Sequence, residues 1–144
     1  MPKMLDLIQA VLRGDTPVPV AQLVGFRLLS AEGGQAMWEL EAGPQHANPM
    51  GTLHGGVLCD IADAAMGMAL ASMLDEGESF ATLELKINFL RPFWSGKLRS
   101  VGRVVRPGRI ISLVECDVLD EQARLVARAS STCMTLRGEQ AAGR

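Results

Sequence analysis

Residues 48–75 read NPMGTLHGGVLCDIADAAMGMALASMLD, and the rest of the chain is arranged around them. The stretch opens with turn chemistry at Asn48, Pro49 and Gly51. Thr52 is placed to cap a helix, because its hydroxyl can accept an orphan amide proton of the first turn. From about His54 to Leu74 the residues are apolar or very small. Val57, Leu58, Ile61, Ala65, Met68 and Leu70 cover most of a helical circumference. A helix apolar nearly all round is buried rather than surface-lying. It nonetheless carries Asp60 and Asp63 in its first half. A buried carboxylate is costly unless it is paired, hydrogen-bonded or put to use. The helix start holds a second feature, Gly55 and Gly56 after His54. Glycine lets a ligand approach the backbone closely. The first turn also exposes free amides at the positive end of the helix dipole. Together these suit an anion, including the oxyanion of an acyl-transfer transition state.

The other segments frame that helix. The 144 residues fit one domain with a sizeable core. Residues 3–13 carry Leu5, Ile8 and Leu12 at helical spacing, closed by Gly14, and Pro17 and Pro19 read as a connector. Phe26 to Ala31 and Gln35 to Ala42 read as two strands around a turn at Glu32-Gly33-Gly34. Phe80 to Leu90 alternates, with Leu83, Leu85, Ile87 and Phe89 on one side and Thr82, Glu84, Lys86 and Asn88 on the other. Pro92 closes it. Lys97 to Arg106, Ile110 to Leu119 and Arg124 to Leu136 complete the strands. The expected organisation is an N-terminal helix and connector over 1–17, the main domain over 18–137, and a frayed polar tail over 138–144. Helices on one face of an antiparallel sheet make this an α+β fold.

Composition narrows the class. The formal net charge of −2 gives no electrostatic case for nucleic acid. No apolar run reaches membrane-spanning length, and Asp6, Gln9 and Arg13 break any signal-peptide pattern, so no membrane role is expected. Cys59, Cys116 and Cys133 are odd in number and have no metal-ligand spacing, which points to free thiols in a reducing cytoplasm. His46 and His54 lack clustered partners, so no metal site is expected.

Asn48, then His54-Gly55-Gly56, then Asp63 nine residues after the histidine, resembles the hotdog-fold acyl-CoA thioesterases of the phenylacetate-pathway, PaaI-like type. The resemblance runs from about Val18 to Leu136. It implies an antiparallel sheet wrapped around one long central helix. It also implies hydrolysis of an acyl-CoA, the acyl group arylacetyl or aroyl, to free coenzyme A and a carboxylic acid. No cofactor is implied, because coenzyme A belongs to the substrate. Asp63 takes the role of base or nucleophile, against the alternative of an acid that caps a backbone amide. The Gly55 amide takes the role of oxyanion donor. The resemblance further implies that Asn48 contacts the thioester carbonyl or its water, and that Thr82 helps hold that water. His54 either binds substrate or orients the loop. Asp60 has no role in the family pattern and reads as a neighbour of the site or a solvent-facing acid. Arg91, Arg103, Arg106 and Arg109 are candidates for the coenzyme A phosphates, with Arg106 and Arg109 favoured because they flank the Pro107-Gly108 turn.

Geometry adds one more expectation. Gly55 and Asp63 lie eight residues apart, hence about 12 Å along the helix axis at 1.5 Å per residue. One thioester carbonyl cannot meet both. Two helices antiparallel about a two-fold axis remove the conflict, so a homodimer is expected, and similar proteins pair such dimers into tetramers. A hotdog enoyl-CoA hydratase or dehydratase and a non-catalytic acyl-CoA-binding module are the alternatives.

Overall fold

The computed structural model describes residues 4–144, so Lys3, the expected start of the first helix, lies outside the described residues. In chain order come α1 (Met4–Leu12), α2 (Pro19–Val24), β1 (Phe26–Glu32), β2 (Gln35–Ala42), α3 (Gly55–Ala71), β3 (Ser79–Phe89), β4 (Gly96–Arg106), β5 (Ile111–Asp120) and β6 (Leu125–Leu136). The strands form one antiparallel sheet in the order β1-β2-β4-β5-β6-β3. The chain leaves β2, crosses the sheet as α3, and returns as β3 on the far edge. The sheet curls around α3, which touches all six strands. This is the expected hotdog arrangement.

Small residues set how closely helix and sheet approach. Ala62, Ala65 and Ala69 are fully buried along α3. Gly102 of β4 lies beneath Ala65, and a Cβ there would sit 2.4 Å from the Ala65 carbonyl oxygen. Any larger residue pushes the helix off the sheet. Around this contact pack Ile61, Met66, Leu98, Val114, Val118 and Val126, all at most 1% exposed. Phe26 meets Trp38 edge to face at 5.1 Å. α3 ends at Ala71, three residues before the expected Leu74. There the Ser72 hydroxyl donates to the Ala69 carbonyl at 2.7 Å and accepts from the Gly34 amide at 2.9 Å. Met73 and Leu74 then bond back to Leu70 and Ala71 in a tightened final turn.

Three local expectations are corrected. The connector after Pro17 contains α2, which starts at Pro19 and ends on Gly25 at φ 100°. Proline suits the first helical position because its missing amide proton is not needed there. The C-terminal segment is ordered rather than frayed. Gly138–Ala141 form a 3-10 turn, Ala141 is 1% exposed, and Arg137 Nη1 donates to the Arg109 carbonyl at 2.6 Å. Thr82 does not share a face with Glu84. In the β3–β6 ladder Thr82 faces Cys133 and Glu84 faces Thr132, so Leu83 is an extra residue in a β-bulge. One extra residue reverses the alternation upstream of it. Thr82 therefore turns inward to α3, while Glu84 and Lys86 stay on the outer face.

Candidate active site

The site residues fall into two cavities along one face of α3. The first is at the helix N-terminus. His54 caps α3, its Nδ1 accepting the Gly56 amide at 2.8 Å. The cap is thus the imidazole rather than Thr52, which corrects the sequence expectation. A ring nitrogen two residues before the amide reaches it as well as a hydroxyl would. Thr52 instead serves the preceding loop, where its Oγ1 accepts from Asn48 Nδ2 at 2.7 Å. Asn48 Oδ1 accepts the Met50 and Thr52 amides at 3.0 and 3.1 Å. Asn48 thereby builds the loop and keeps a single N–H for any further partner. The Leu53 amide bonds the Phe93 carbonyl at 2.7 Å and clamps this loop to the one after β3.

With the Gly56 amide used by the cap, the Gly55 amide has no hydrogen-bond partner among the described residues. Gly55 lines a groove of about 350 Å³ together with Asn48, Leu53, Leu58, Phe89 and Arg91. The Phe89 ring lies across Gly55, and a Cβ there would sit 2.8 Å from Phe89 Cζ. Nothing in the sequence singled out Phe89. It sits at the strand end next to Leu90-Arg91-Pro92 and reads there as one more alternating apolar residue. His46 is apart from this groove. It is buried in the turn Pro44–His46, donates Nε2–H to the Val24 carbonyl at 2.6 Å and accepts the Gly43 amide at 3.1 Å. Both its nitrogens are spent on structure.

The second cavity lies two turns further along α3. It measures about 430 Å³ and is lined by Cys59, Asp60, Asp63, Thr82, Leu83 and Leu85, among others. Asp63 is exposed on the helix, and Thr82 Oγ1 donates to its Oδ1 at 3.0 Å. That bond exists because the bulge turns Thr82 inward. Asp60 is one turn before Asp63 and half-buried. Burial first, and the neighbouring Asp63 charge second, push its carboxyl above the ordinary range. The same burial, with the charges of Asp60 and Asp63, raises the Cys59 thiol. Cys59 thus stays a thiol and lacks the thiolate character of a nucleophile. All three cysteines are free, and burial pushes Cys116 up to about 12.

The arginines divide. Arg91 lines the first groove, whereas Arg106 and Arg109 line neither cavity. Arg103 is spent on the outer face of the sheet, where it pairs with Glu115 at 2.8 Å and Asp117 at 3.5 Å. Among the described residues no three His, Cys, Asp or Glu side chains cluster as a metal site, and no helix is long and apolar enough to cross a membrane.

The family model described as the thioesterase superfamily matches residues 50–127. The chain belongs to that superfamily and is a thioester hydrolase of the hotdog fold. It is similar to the proofreading thioesterase EntH of Klebsiella pneumoniae, 29% identical over 83% of this chain and 87% of that one. It is also similar to the 1,4-dihydroxy-2-naphthoyl-CoA hydrolase of Listeria monocytogenes, 26% identical over 77% of this chain and 90% of that one. In fold it matches the E. coli PaaI protein from the phenylacetic acid degradation operon, with a TM-score of 0.82 at 22% identity, covering 94% of this chain and 95% of that one.

Proposed function

We propose that the chain hydrolyses an acyl-CoA to free coenzyme A and a carboxylic acid, at a site that two copies complete. The observation that carries this reading is the split between the free Gly55 amide and the Thr82-anchored Asp63, in separate cavities of one helix. A two-fold axis that sets two α3 helices antiparallel brings Gly55 of one copy to Asp63 of the other. The thioester carbonyl oxygen then lies against the Gly55 amide at the positive end of the helix dipole. Asn48 offers its remaining N–H beside it. His54 acts through its cap, by holding the first turn so that the Gly55 amide points into the groove.

Asp63 works here as a general base. Thr82 donates its only proton to Oδ1, which leaves Oδ2 and the Thr82 lone pairs to hold a water. Asp63 takes a proton from that water as its oxygen bonds to the carbonyl carbon. The oxyanion collapses, the C–S bond breaks, and Asp63 returns the proton to the coenzyme A sulfur. A single turnover in 18O-water tests the assignment. The label appears in the acid product if water attacks directly, whereas attack by Asp63 to form an anhydride that water then opens at the Asp63 carbonyl leaves the first product unlabelled and the label on Asp63.

No resident cofactor takes part. Arg91 is the arginine best placed for a coenzyme A phosphate, and Arg106 and Arg109 rank behind it. The Phe89 ring over Gly55 suits an arylacetyl or aroyl group, in line with the naphthoyl-CoA relative. The three free thiols suit a reducing cytoplasm, and we place the working form as a dimer of dimers. Thiol release from phenylacetyl-CoA, 4-hydroxybenzoyl-CoA and hexanoyl-CoA tests the reading, and the aryl substrates are expected to lead. Hydration of an enoyl-CoA without thiol release points instead to a hydratase, and tight binding without turnover to a binding module.

A further inference from the structure

The inner positions of β6 run Ala127, Ala129, Ser131, Cys133, all buried to 2% exposure or less. The first two are apolar, as a core position demands. A hydroxyl in such a place costs stability unless it is hydrogen-bonded. The Ser131 hydroxyl meets the Cys133 sulfur at 3.5 Å, and among the described residues it has no other side-chain partner. Cys133 faces Thr82 in the β3–β6 ladder, and its sulfur lies 3.9 Å from Thr82 Oγ1. Thr82 Oγ1 in turn lies 3.0 Å from Asp63 Oδ1. The bulge at Leu83 aligns the row, because strict alternation would turn residue 82 outward. Ser131, Cys133, Thr82 and Asp63 thus stand in one file from the core to the cleft.

A single proton on each group gives the row a direction. An ionised carboxylate only accepts, so the Thr82 proton is on Asp63. Thr82 then meets Cys133 as an acceptor, and the thiol proton goes to Thr82 Oγ1. With that proton placed, the sulfur accepts from Ser131. The other order, with the thiol proton on Ser131, strands a buried Ser131 proton and sets Thr82 against a sulfur with no proton between them. Donors in a row polarise one another, so each strengthens the next. Geometry adds a second effect. Thr82 makes both contacts in one χ1 rotamer, and the thiol therefore opposes the rotation that would carry the hydroxyl off Asp63.

We propose that Cys133, backed by Ser131, is a positioning residue of the hydrolytic site: its thiol donates to Thr82 Oγ1 and so holds the Thr82 hydroxyl on Asp63. The row keeps protons in place and transfers none. It leaves one Thr82 lone pair and Asp63 Oδ2 for the water, and in this it rests on Asp63 being the general base. Two readouts test it, steady-state thiol release from the fastest of the three acyl-CoAs and the Raman S–H band of Cys133, assigned by difference from Cys133→Ala. Cys133→Ala is expected to lower kcat by about three- to fivefold with KM little changed. Cys133→Ser keeps a donor and recovers part of that loss, and Ser131→Ala shows a smaller loss in the same direction. Cys116→Ala removes a thiol just as buried on β5, away from the cleft, and leaves kcat unchanged. Because Cys133 acts through Thr82, the double variant Thr82→Val, Cys133→Ala is no slower than Thr82→Val alone. The S–H stretch, lowered by donation to oxygen, rises in Thr82→Val. Wild-type kcat in Cys133→Ala overturns the proposal, as do losses that add in the double variant. A band indifferent to Thr82→Val overturns it too, and this comparison decides the matter even where Cys133→Ala fails to fold by circular dichroism. A band that rises in a protein that releases no thiol from any acyl-CoA confirms the bond from Cys133 to Thr82 while it defeats the hydrolase reading.

Discussion

The two cavities on α3 differ in what they are made of. The groove at the N-terminus is built from backbone. It offers an unspent Gly55 amide, the positive end of a helix dipole and the Arg91 guanidinium, and no acid lines it. The mid-helix cleft is built from side chains. It holds Asp60, Asp63 and Glu84 with no base beside them. One end receives negative charge and the other supplies it. A helix rises about 1.5 Å per residue, so these complementary chemistries stand about 12 Å apart on the same chain. On the proposed reading, a single copy has both halves of an acyl-transfer site and cannot apply them to one carbonyl. The difference between the cavities is thus the argument for a second copy.

Removing the acid breaks the comparison most severely. Asp63→Asn keeps the size of the side chain and a carbonyl oxygen for Thr82, but it cannot take a proton from water. Hydrolysis is expected to fall by about 10²–10⁴-fold in kcat, with KM little changed. A steady-state comparison checks this, and wild-type kcat in the variant returns Asp63 to a structural role. The amide end responds next. Gly55→Ala puts a Cβ 2.8 Å from the Phe89 ring, so the first turn or the ring must move. Losing an oxyanion donor costs roughly 10²–10³-fold, and a displaced one costs less, on the order of 10–10². The double variant Gly55→Ala, Phe89→Ala is expected to recover part of that loss. Failure to recover would mean that Phe89 does not set the amide geometry.

Thr82→Val is smaller again. It keeps the shape of a β-branched strand residue and removes the hydroxyl that bonds Asp63. Loss of one hydrogen bond to a charged group corresponds to about tenfold in kcat. A loss equal to that of Asp63→Asn would show that the acid and the hydroxyl act as one unit.

The long helix and the strands were readable in the sequence. A helix apolar all round with two acids leaves few other folds, and HGG followed by an acid marks both ends of the proposed site. Thr82 was legible as a residue but not as a contact. Strict alternation puts it on the outer face with Glu84, and only the bulge at Leu83 brings it to Asp63. A bulge leaves no compositional trace when the extra residue is leucine in a run of apolar residues. Phe89 escaped for a similar reason, since its proximity to Gly55 depends on where β3 ends relative to the start of α3. Arg106 and Arg109 were favoured by their turn, and Arg91 is the candidate arginine that lines the groove. Distance in sequence from the helix carried no information about that.

The smallest effect separates Asp60 from Asp63. Asp60 has a folded-state carboxyl held above its ordinary value of 3.8, by burial and then by Asp63. For a raised carboxyl the stabilising contribution is present below the unfolded value and is lost as pH rises through the folded one. At pH 7 the raised Asp60 carboxyl therefore works against the fold. Asp60→Asn is expected to raise Tm slightly at pH 7, by about 2 °C or less, with the gain gone below pH 4. Hydrolysis is largely retained, because Asp63 and Thr82 are untouched. Asp117 on the outer face gives the opposite sign. The Arg128 guanidinium at 2.7 Å holds its carboxyl below the ordinary range, despite partial burial. Its contribution is present above 3.8 and is lost as pH falls through the folded value. Asp117→Asn should lower Tm at pH 7 and match the wild type in acid. Thermal melts of both variants across pH 3–8 read the two signs side by side. An Asp60→Asn variant that melts lower than wild type at pH 7 would mean that the ionised carboxylate has a stabilising partner. The natural candidate is the amide end of a second copy brought into the cleft, and repeating the melt below the dimer dissociation constant distinguishes that source from one within the chain.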